Sequence, residues 1–450
     1  MTLIPFEHQL RTVAFQATNE RVFDTSDPGT GKTGSAILAF NARRMRGGGA
    51  ALIIAPKSIL RSAWQADFKK FAPHLVTSIA SAEHREDAFE APADAYIINH
   101  DAARWLAKRP ADFFSKFDTL IIDESGAYKH NTSQRSKAIV KIKSYFKYRL
   151  LMNGTPNPNS VLELWNQLNI LDDGQRLGKS FYSFRQAVCV PKQVGPAANM
   201  IQWADRPGAQ EAIAKRIEDI TIRHKFEDCI DIPPNFAYSV PYYFPPAQAQ
   251  AYEEMRVAAV ALVNNSVISA VNAAAVATKL LQISSGAVYS GPGVWHLVDP
   301  GRYELVMDLV EERTFCVVFF LWEHQRECLI EEAQKRGITF GVIDGSVNER
   351  KRAETVDYFQ KGLYRVIFAH PQSAAHGLTL TRGTTTIWAS PTYNLEHYLQ
   401  GLRRIYRAGQ VFKTETITVV ADGTIEERVQ AALDAKALNM ESLLEILRSV

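Results

Sequence analysis

The sequence predicts an α/β protein with two lobes, and three observations support this prediction. Short apolar runs such as Ala51–Ala55 and Leu120–Ile122 alternate with helical patterns over the first 156 residues. The same rhythm returns at Phe315–Phe320 and continues in later runs. In between, the strand pattern lapses from 157 to about 235, and Ala247–Gln282 has the composition of one or two helices. We therefore expect α/β domains at 1–235 and 236–450, with parallel sheets, a helical insertion at about 157–235 and a helical start to the second domain.

The composition excludes several classes of protein. With 450 residues, 46% of them hydrophobic, the chain can form two or three domains with sizeable cores. The formal net charge is +3, so any nucleic-acid contact must come from a local groove rather than a uniformly basic surface. The cysteines at 189, 229, 316 and 328 lack the short spacings of zinc sites and disulfide frameworks, which suits a reducing cytoplasm. The longest apolar run, Phe315–Trp322, is too short to cross a bilayer, so we expect no membrane role.

A stretch with the residue types of a phosphate-binding loop precedes a helical pattern. It consists of Ser26, Asp27, Pro28, Gly29, Thr30, Gly31, Lys32 and Thr33. The glycines let backbone N–H groups approach phosphate oxygens, and a helix that begins near Lys32 directs its positive end at them. We expect Lys32 to neutralise the β and γ phosphates of a nucleotide and Thr33 to offer its hydroxyl to Mg²⁺. Ser26 stands where the usual pattern has a glycine, and the alternative is an ordinary tight turn.

Two adjacent carboxylates follow the apolar run Leu120–Ile122. We expect Asp123 to hold the water shell of Mg²⁺ and Glu124 to orient and deprotonate the attacking water. An Asp-Glu pair is common in loops. Its position after a buried strand, downstream of a phosphate loop, favours the catalytic interpretation.

Gln9 is a candidate for recognition of adenine. It precedes a helical pattern that continues through Phe15. Its amide offers a donor and an acceptor, which match the polar edge of adenine. The alternative is an ordinary surface glutamine.

Basic residues mark two candidate surfaces for the phosphates of a nucleic acid. Lys57 follows an apolar run, at the kind of strand end where an α/β sheet places ligand contacts. From Ser125 to Leu162 there is no acidic residue, and this basic stretch contains Lys129, Arg135, Lys137, Lys141, Lys143, Lys147 and Arg149. Contacts with a phosphate backbone and a solvated helix face explain these cations equally well.

Two arginines near the end of the second lobe are candidates for a catalytic role. Helical patterns lie around 323–336, 349–361 and 394–405. Arg404 and Arg407 are three residues apart, so we expect them to share a helical face and to reach one anionic target. The alternative is ordinary surface charge. The first lobe has a lysine, a metal ligand and a base, but no obvious arginine finger of its own.

The order of these motifs resembles helicase superfamily two, and most closely its Swi/Snf-type branch of double-stranded DNA-dependent ATPases. The resemblance covers nearly the whole chain. In the first lobe it rests on Phe6–Gln9, Asp27–Thr33, Ile54–Lys57, Asn99–His100, Asp123–Glu124 and Asn153–Pro156. In the second lobe it rests on Val318–Phe320, Asp344–Ser346, His376–Thr381 and Gln400–Gln410. The last of these, with Leu281–Gly286 and Asp422–Glu427, indicates the Swi/Snf branch.

The resemblance implies two tandem RecA-like lobes that close around ATP·Mg²⁺, with nucleic acid lying across both lobes. The nucleic acid that the Swi/Snf-type branch implies is double-stranded DNA. It implies a nucleotide contact from Gly377 in the second lobe. It also implies nucleic-acid contacts, chiefly to the backbone, from Asn99, His100 and Ser346. Besides Ser26, four residues depart from the pattern, namely Ser125, Gly126, His376 and Arg403. They bear on coupling between the lobes rather than on hydrolysis.

Three functions fit these motifs. The first is a translocase that remodels double-stranded DNA or displaces bound protein. The second is a strand-separating or annealing helicase that acts on DNA or RNA, and the third is a non-motor scaffold switched by ATP. The compact chain resembles bacterial or bacteriophage members, so we expect it in the cytoplasm of a bacterium or an infected host. Its protein partners and direction of movement stay open.

Overall fold

The computed structural model describes residues 5–157, 159–193, 200–265, 270–291, 293–374 and 378–448. The chain forms two compact units, one of residues 1–231 with 436–450 and one of residues 232–435. The predicted domains, 1–235 and 236–450, differ from this division in their boundary and in the placement of residues 436–450, and they stay a prediction. Among the described residues, no helix combines the length and the apolar character needed to cross a membrane.

A parallel sheet forms the centre of the first unit. The strands described in this unit are β1 (Arg21–Asp24), β2 (Ala50–Ala55), β3 (Thr77–Ala80), β4 (Ala95–Asn99), β5 (Phe117–Asp123), β6 (Tyr148–Met152), β7 (Cys189–Gln193), β8 (Ile201–Asp205) and β9 (Thr221–Ile222). Seven of them form the sheet in the order β3-β4-β2-β5-β6-β1-β9, with every pairing parallel. β7 and β8 form a separate antiparallel hairpin.

Helices surround this sheet and close its core. The α-helices described in the first unit are α1 (Glu7–Thr18), α2 (Lys32–Arg44), α3 (Ala66–Phe71), α4 (Arg85–Glu90), α5 (Ala103–Leu106), α6 (Gln134–Ile142), α7 (Leu162–Asp172), α8 (Phe181–Val188), α9 (Ala209–Ile217) and α10 (Phe226–Cys229). Ile37 of α2 and Phe68 of α3 join Ile53 of β2 in one buried cluster. Every residue of β2 is buried, as its uninterrupted apolar run predicts for a central parallel strand.

The region 157–235 is not purely helical, which corrects the sequence prediction. It contains the β7–β8 hairpin, and β9 joins the main sheet beside β1. β7 exposes four of its five residues, and β9 is only two residues long. Neither strand therefore has the apolar pattern by which strands are recognised in a sequence.

A second parallel sheet forms the centre of the other unit. The strands described there are β10 (Asn235–Tyr242), β11 (Ala287–Gly291), β12 (Val294–Leu297), β13 (Cys316–Phe319), β14 (Phe340–Ile343), β15 (Val366–Ala369), β16 (Thr385–Trp388) and β17 (Thr414–Ala421). Six of them form the sheet in the order β10-β17-β16-β13-β15-β14, and all of its pairings are parallel. β11 and β12 form a hairpin. The two parallel sheets confirm the predicted α/β class with two tandem lobes.

The helices of the second unit follow the predicted rhythm closely. They are α11 (Pro246–Asn265), α12 (Ala270–Ser284), α13 (Gly301–Glu311), α14 (Glu323–Lys335), α15 (Glu349–Lys361), α16 (Pro371–Ala374), α17 (Leu395–Leu402) and α18 (Ile425–Arg448), the last of which ends among the residues grouped with the first unit. The prediction that this region starts with a helix is wrong, because β10 precedes α11. β10 is an edge strand that is largely exposed and contains Pro241, a residue that edge strands tolerate.

Candidate functional site

Three loops of the first unit leave its sheet side by side. β6 lies between β1 and β5, with Asp24 paired to Met152 and Met152 paired to Asp123. Because neighbouring strands are about 4.8 Å apart, Asp24 and Asp123 lie two strand spacings apart, at about 10 Å. The segments that follow these strands contain the phosphate loop, the residues after Met152 and the carboxylate pair. They occupy the carboxyl edge of the sheet, where α/β proteins bind ligands.

The phosphate loop has the backbone geometry that its glycines permit. Gly29 and Gly31 have φ values of +93° and +85°, and α2 begins directly afterwards at Lys32. Ser26, which replaces the usual first glycine, is absent from the residues with positive φ. Its backbone N–H donates to Asp24 Oδ1 at 3.0 Å, and its hydroxyl accepts a bond from the backbone N–H of His224 at 3.1 Å. A serine therefore fits this position without strain.

Lys32 is folded over the loop that precedes it. Its Nζ donates hydrogen bonds to the carbonyl oxygens of Ser26 at 2.7 Å and Asp27 at 3.1 Å. Both acceptors are uncharged. A phosphate group in the loop would offer the ammonium a stronger, charge-assisted bond.

Asp123 is a carboxylate held in a nearly dry environment. It is 8% exposed, its Oδ2 accepts a bond from Trp64 Nε1 at 2.9 Å, and its Oδ1 accepts one from the Glu124 backbone N–H at 3.0 Å. Burial raises the pKa of Asp123, and the bond from Trp64 and the charge of Lys32 oppose that rise. A divalent cation beside this carboxylate would favour its ionised form, so its surroundings fit the metal ligand that the sequence predicts.

The protein groups available to a metal ion here are few. Thr33 lies half-buried in the first turn of α2. Within the described ranges, no three His, Cys, Asp or Glu side chains cluster as a metal cage made of protein alone would need. This fits Mg²⁺, which typically binds one or two protein oxygens and takes its other ligands from phosphate and water.

Glu124 has a backbone conformation that is uncommon for a residue with a side chain. Its φ and ψ are +53° and +57°, in the left-handed region, just before the short 3₁₀ helix Ser125–Tyr128. Such a conformation costs about 1–3 kcal/mol and recurs at functional sites. The strain is therefore consistent with a functional role for Glu124.

A buried glutamine joins the segment after β5 to the segment after β6. The Oε1 atom of Gln167, in α7, accepts bonds from Ser125 Oγ at 2.7 Å and Asn153 Nδ2 at 3.1 Å. Its Nε2 donates to the carbonyl oxygens of Pro156 at 2.8 Å and Glu163 at 2.9 Å. Ser125, one of the positions that departs from the family pattern, is thus fixed to the Asn153–Pro156 motif.

Gln9 lies directly against the phosphate loop. Its Nε2 donates to the Thr30 carbonyl oxygen at 3.3 Å, and its Oε1 accepts a bond from the Phe6 backbone N–H at 3.0 Å. His8 Nε2 lies 2.8 Å from the same Thr30 oxygen. A Cβ atom added at Gly31 would lie 2.0 Å from Gln9 Nε2, so a side chain at this position would displace the Gln9 amide.

Arg404 and Arg407 do not share a helical face, which corrects the prediction. α17 ends at Leu402 rather than at residue 405, because the Arg404 backbone N–H bonds to Gly401, three residues back, and the chain tightens into a turn. The two side chains nevertheless converge. Nη1 of Arg404 and Nη1 of Arg407 both donate to the Leu378 carbonyl oxygen, at 3.3 Å and 2.9 Å. One acceptor therefore receives both guanidinium groups.

The strand-end residues proposed to contact nucleic acid differ in exposure. Lys57 is exposed just after β2, and Asn99 Nδ2 donates to Asp101 Oδ2 at 3.4 Å. His100 is only 8% exposed, and its Nδ1 lies 3.0 Å from the hydroxyl of the buried Tyr128. The structure thus places Lys57 at the surface and His100 inside the unit.

Acidic residues from other parts of the chain neutralise much of the basic stretch. Lys129 Nζ lies 2.8 Å from Glu163 Oε1, one residue beyond the end of the stretch. Arg135 pairs with Asp101 at 2.5 Å. Three more cations of the stretch have carboxylate partners: Lys143 and Arg149 pair with Asp173, and Lys147 with Glu20. The surface around this stretch is therefore less basic than its lack of acidic residues along the sequence suggests.

Ser346 lines a cavity of about 340 Å³ in the second unit. Its hydroxyl donates to Asp344 Oδ1 at 2.6 Å, and Asp344 Oδ2 pairs with Arg326 at 2.7 Å. Trp322 and His370 line the same cavity. Gly377, the nucleotide contact implied for this unit, lies outside the described residues, as does His376.

Sequence reasoning missed Trp64 and Gln167. Trp64 lies in a π-helical segment, Leu60–Gln65, and Gln167 stands between Asn166 and Leu168 in α7. Each acts across the fold, 59 and 42 residues from its partners Asp123 and Ser125. No local pattern in the sequence marks such a pairing.

A phosphate loop and a strand-end carboxylate pair on the same parallel sheet indicate a nucleoside triphosphatase of the P-loop class. The chain belongs to the family of the SNF2-related domain, which matches residues 8–285. Residues 301–409 match the helicase conserved C-terminal domain. These matches confirm the Swi/Snf resemblance and identify the chain as a nucleic-acid-dependent, helicase-type ATPase that uses ATP.

Individual relatives differ in how much of their length this chain covers. Protein p41 of Acyrthosiphon pisum secondary endosymbiont phage 1 is 27% identical, over 99% of this chain and 98% of that protein. The DNA annealing helicase and endonuclease ZRANB3 of Mus musculus is 25% identical, over 86% of this chain but 36% of its own length. A solved structure, the Sulfolobus solfataricus SWI2/SNF2 ATPase core in complex with dsDNA, covers 100% of this chain and 95% of its own, with 19% identity and a TM-score of 0.46.

Proposed function

We propose that the chain hydrolyses ATP·Mg²⁺ to translocate along double-stranded DNA. The observation that carries the proposal is the placement of Lys32, Asp123 and Glu124 on loops that leave one edge of a parallel sheet, in a chain of the SNF2-related family. These groups supply phosphate binding, a metal ligand and a base, which are the parts that phosphoryl transfer to water requires.

In this proposal the phosphate loop binds the triphosphate. Backbone N–H groups between Asp27 and Thr33 contact the phosphates at the positive end of α2, and Lys32 exchanges its carbonyl acceptors for phosphate oxygens. Gln9 reads the adenine edge from its position against the loop. Thr33 and Asp123 would hold Mg²⁺, which supplies charge neutralisation at the transferred phosphoryl group.

Glu124 is the proposed general base. It follows Asp123, whose position Trp64 fixes, and the left-handed backbone at Glu124 sets the direction in which the chain leaves β5. A carboxylate can accept the proton of the attacking water as the bond to the γ-phosphorus forms. Gln167 stabilises the segment that carries this base through Ser125.

Arg404 and Arg407 are the proposed arginine fingers. Both donate to one neutral acceptor, the Leu378 carbonyl oxygen, which a γ-phosphate oxygen could replace when the two lobes close around the nucleotide. Gly377, the next residue toward the N-terminus, is the proposed nucleotide contact of the same lobe. Charge that develops during transfer would then draw both guanidinium groups to the phosphate.

Nucleic acid is proposed to contact both lobes through its backbone. Lys57, Asn99, Lys129 and Arg135 are the candidates in the first lobe, whereas His100 is only 8% exposed and is not retained as a candidate. Ser346 is the candidate in the second, in the cavity beside Arg326. Because such contacts go to phosphates, we expect little dependence on base sequence. We also propose that the chain acts in the cytoplasm of a bacterium or a phage-infected cell. Its similarity to a phage protein supports this location.

An annealing or strand-separating helicase is the second candidate. The similarity to ZRANB3 over 86% of this chain favours it, since that protein is named a DNA annealing helicase. It needs the same ATP site and differs only in what translocation does to the strands.

One set of assays tests both candidates. ATP hydrolysis is measured with duplex DNA, single-stranded DNA and RNA, and displacement of a triplex strand, unwinding and annealing are measured in parallel. A translocase is expected to be stimulated most by duplex DNA and to displace the third strand without unwinding. Unwinding or annealing without triplex displacement would favour the helicase, and ATP binding without hydrolysis would favour the scaffold.

A further inference from the structure

A segment near the end of the first unit continues the sheet alongside the phosphate loop. β9 pairs with β1, and the bonding continues past the end of both strands. The backbone N–H of Thr25 donates to the Ile222 carbonyl oxygen at 2.9 Å, and that of Asp27 donates to the His224 carbonyl oxygen at 3.0 Å. The first half of the loop is therefore held as an extension of the sheet, by residues about 200 positions later in the chain.

Two residues of this segment contact the loop through Asp27. Arg223 Nη2 lies 2.7 Å from Asp27 Oδ1, and the backbone N–H of Phe226 donates to Asp27 Oδ2 at 3.0 Å. The side chains of Arg223 and Asp27 are 6% and 13% exposed, so water screens this ion pair little. Arg223 also donates to the Thr25 carbonyl oxygen. Both oxygens of the Asp27 carboxylate are therefore fixed by the segment.

The ring of Phe226 contacts the loop at its first glycine. Phe226 is fully buried, and a Cβ atom added at Gly29 would lie 3.0 Å from its Cε2 atom. Gly29 is thus constrained by its positive φ and by this ring. Any shift of Phe226 changes the space available to the loop.

Asp27 passes this constraint to the residue that binds phosphate. Its carbonyl oxygen accepts a bond from Lys32 Nζ at 3.1 Å and from Thr30 Oγ1 at 2.8 Å. Its carboxylate also places a negative charge beside a site for a polyanion, and Arg223 neutralises that charge. Without Arg223, Asp27 would both loosen the loop and repel phosphate.

We propose that Arg223 and Phe226 are positioning residues for nucleotide binding, and that they act through Asp27 and Gly29. The proposal rests on the proposed function in taking ATP as the ligand.

The test measures ATP affinity without nucleic acid, by equilibrium binding of a fluorescent ATP analogue in the presence of Mg²⁺. Arg223→Gln is expected to weaken binding at least about tenfold, because an unneutralised buried carboxylate then faces the phosphates. Arg223→Lys should recover part of the loss, since it restores the charge but not the planar fork. Phe226→Leu, which keeps the ion pair, should weaken binding by a smaller factor.

Arg176→Gln is the matched control. Arg176 pairs with Asp172 and Asp219 in the same unit, and neither partner belongs to the phosphate loop. Its loss should leave ATP affinity within about twofold of that of the unaltered chain, because residues that share no partners affect each other little. The melting temperatures of Arg223→Gln and Arg176→Gln distinguish a general loss of stability from a specific loss of ATP affinity.

The double variant Asp27→Asn with Arg223→Gln decides whether Arg223 acts through Asp27. We expect it to bind ATP more tightly than Arg223→Gln alone, since the uncompensated charge is gone. Additive losses in the double variant, or equal affinities for Arg223→Gln and Arg176→Gln, would overturn the proposal. If the unaltered chain binds ATP but no nucleic acid stimulates hydrolysis, only the proposed function fails. If it binds no ATP, both fail.

Discussion

The proposed ATP site of the first unit and the basic stretch at 129–149 are both rich in charge, but their charged side chains have different partners. At the proposed ATP site, the hydrogen-bond acceptors of Lys32 among the described residues are neutral carbonyl groups, and Asp123 is a desolvated carboxylate whose pKa is raised by burial. In the basic stretch, five of the seven lysines and arginines have carboxylate partners from elsewhere. A desolvated carboxylate near the lysine of a phosphate loop indicates a site for a charged ligand, whereas the cations of the basic stretch are already partly neutralised by carboxylates.

The largest expected effect is on the rate of ATP hydrolysis, and it distinguishes the residue that acts in the reaction from the residue that binds ATP. Glu124→Gln should retain binding of ATP and Mg²⁺ but lower the rate of hydrolysis by about 10³, within the 10²–10⁴ range of general base catalysis. The amide keeps the size of the side chain and loses the base. Lys32→Ala should instead weaken nucleotide binding. Near-normal hydrolysis by Glu124→Gln would remove Glu124 from the role of base.

The network around Gln167 tests how firmly the ATP site is fixed. Gln167→Leu removes the acceptor of Ser125 and Asn153 and leaves both side chains buried without it. We expect the free energy of unfolding to fall by about 1–3 kcal/mol for the unsatisfied groups, with a loss of hydrolysis larger than the loss of ATP affinity. Chemical denaturation and steady-state kinetics measure the two effects. A loss of stability with unchanged turnover would make Gln167 purely structural.

Asp123 predicts a pH dependence of stability in protein free of nucleotide and metal. Its pKa is higher in the folded than in the unfolded state, because burial outweighs the bond from Trp64. The folded state therefore keeps the Asp123 proton up to a higher pH than the unfolded state does. The free energy of unfolding falls as the pH rises from about 4, the usual pKa of Asp, to the pKa of Asp123 in the folded state. Melting temperatures of Asp123→Asn should lack this decrease. Parallel curves for the two proteins would contradict the assignment.

The smallest effect concerns the basic residues. Lys57→Ala and Lys137→Ala, which alter exposed lysines, should each reduce the slope of log affinity against log salt by about one unit for any DNA sequence. Lys129→Ala should reduce it less, because Glu163 already neutralises Lys129. Glu163→Gln is the matched control and should increase the slope. Equal slopes after loss of Lys57 and Lys129 would show that the ion pair opens on binding.

The elements that the sequence predicted correctly depend on short stretches of chain. The phosphate loop needs two glycines and a helix start within eight residues, and β2 is recognisable because all six of its residues are apolar. The strand that ends at Asp123 is recognisable by its apolar run Leu120–Ile122. Such features are local, so a single sequence carries them.

The elements that were missed depend on partners far away in the chain. β9 is a strand only because β1 lies beside it, and Arg223 is informative only because Asp27 is its partner. The end of α17 was misplaced because a bond between Arg404 and Gly401 replaces the helical ladder. The sequence also does not predict the ion pair of Lys129 with Glu163, because only the fold brings Lys129, which follows β5, close to Glu163 in α7.

We propose that Arg404 and Arg407 of the second lobe act on the γ-phosphate that the first lobe binds. The most direct measurement compares ATP affinity with duplex-stimulated hydrolysis in Arg407→Ala and, separately, Arg404→Ala. Ground-state binding rests mainly on the first lobe, so affinity should stay within about tenfold of the unaltered chain while stimulated hydrolysis falls at least about a hundredfold, at the lower side of the range for arginine fingers. Lysine should rescue poorly, because it lacks the planar fork. If both alanine variants hydrolyse ATP normally and still respond to duplex DNA, the claim is wrong.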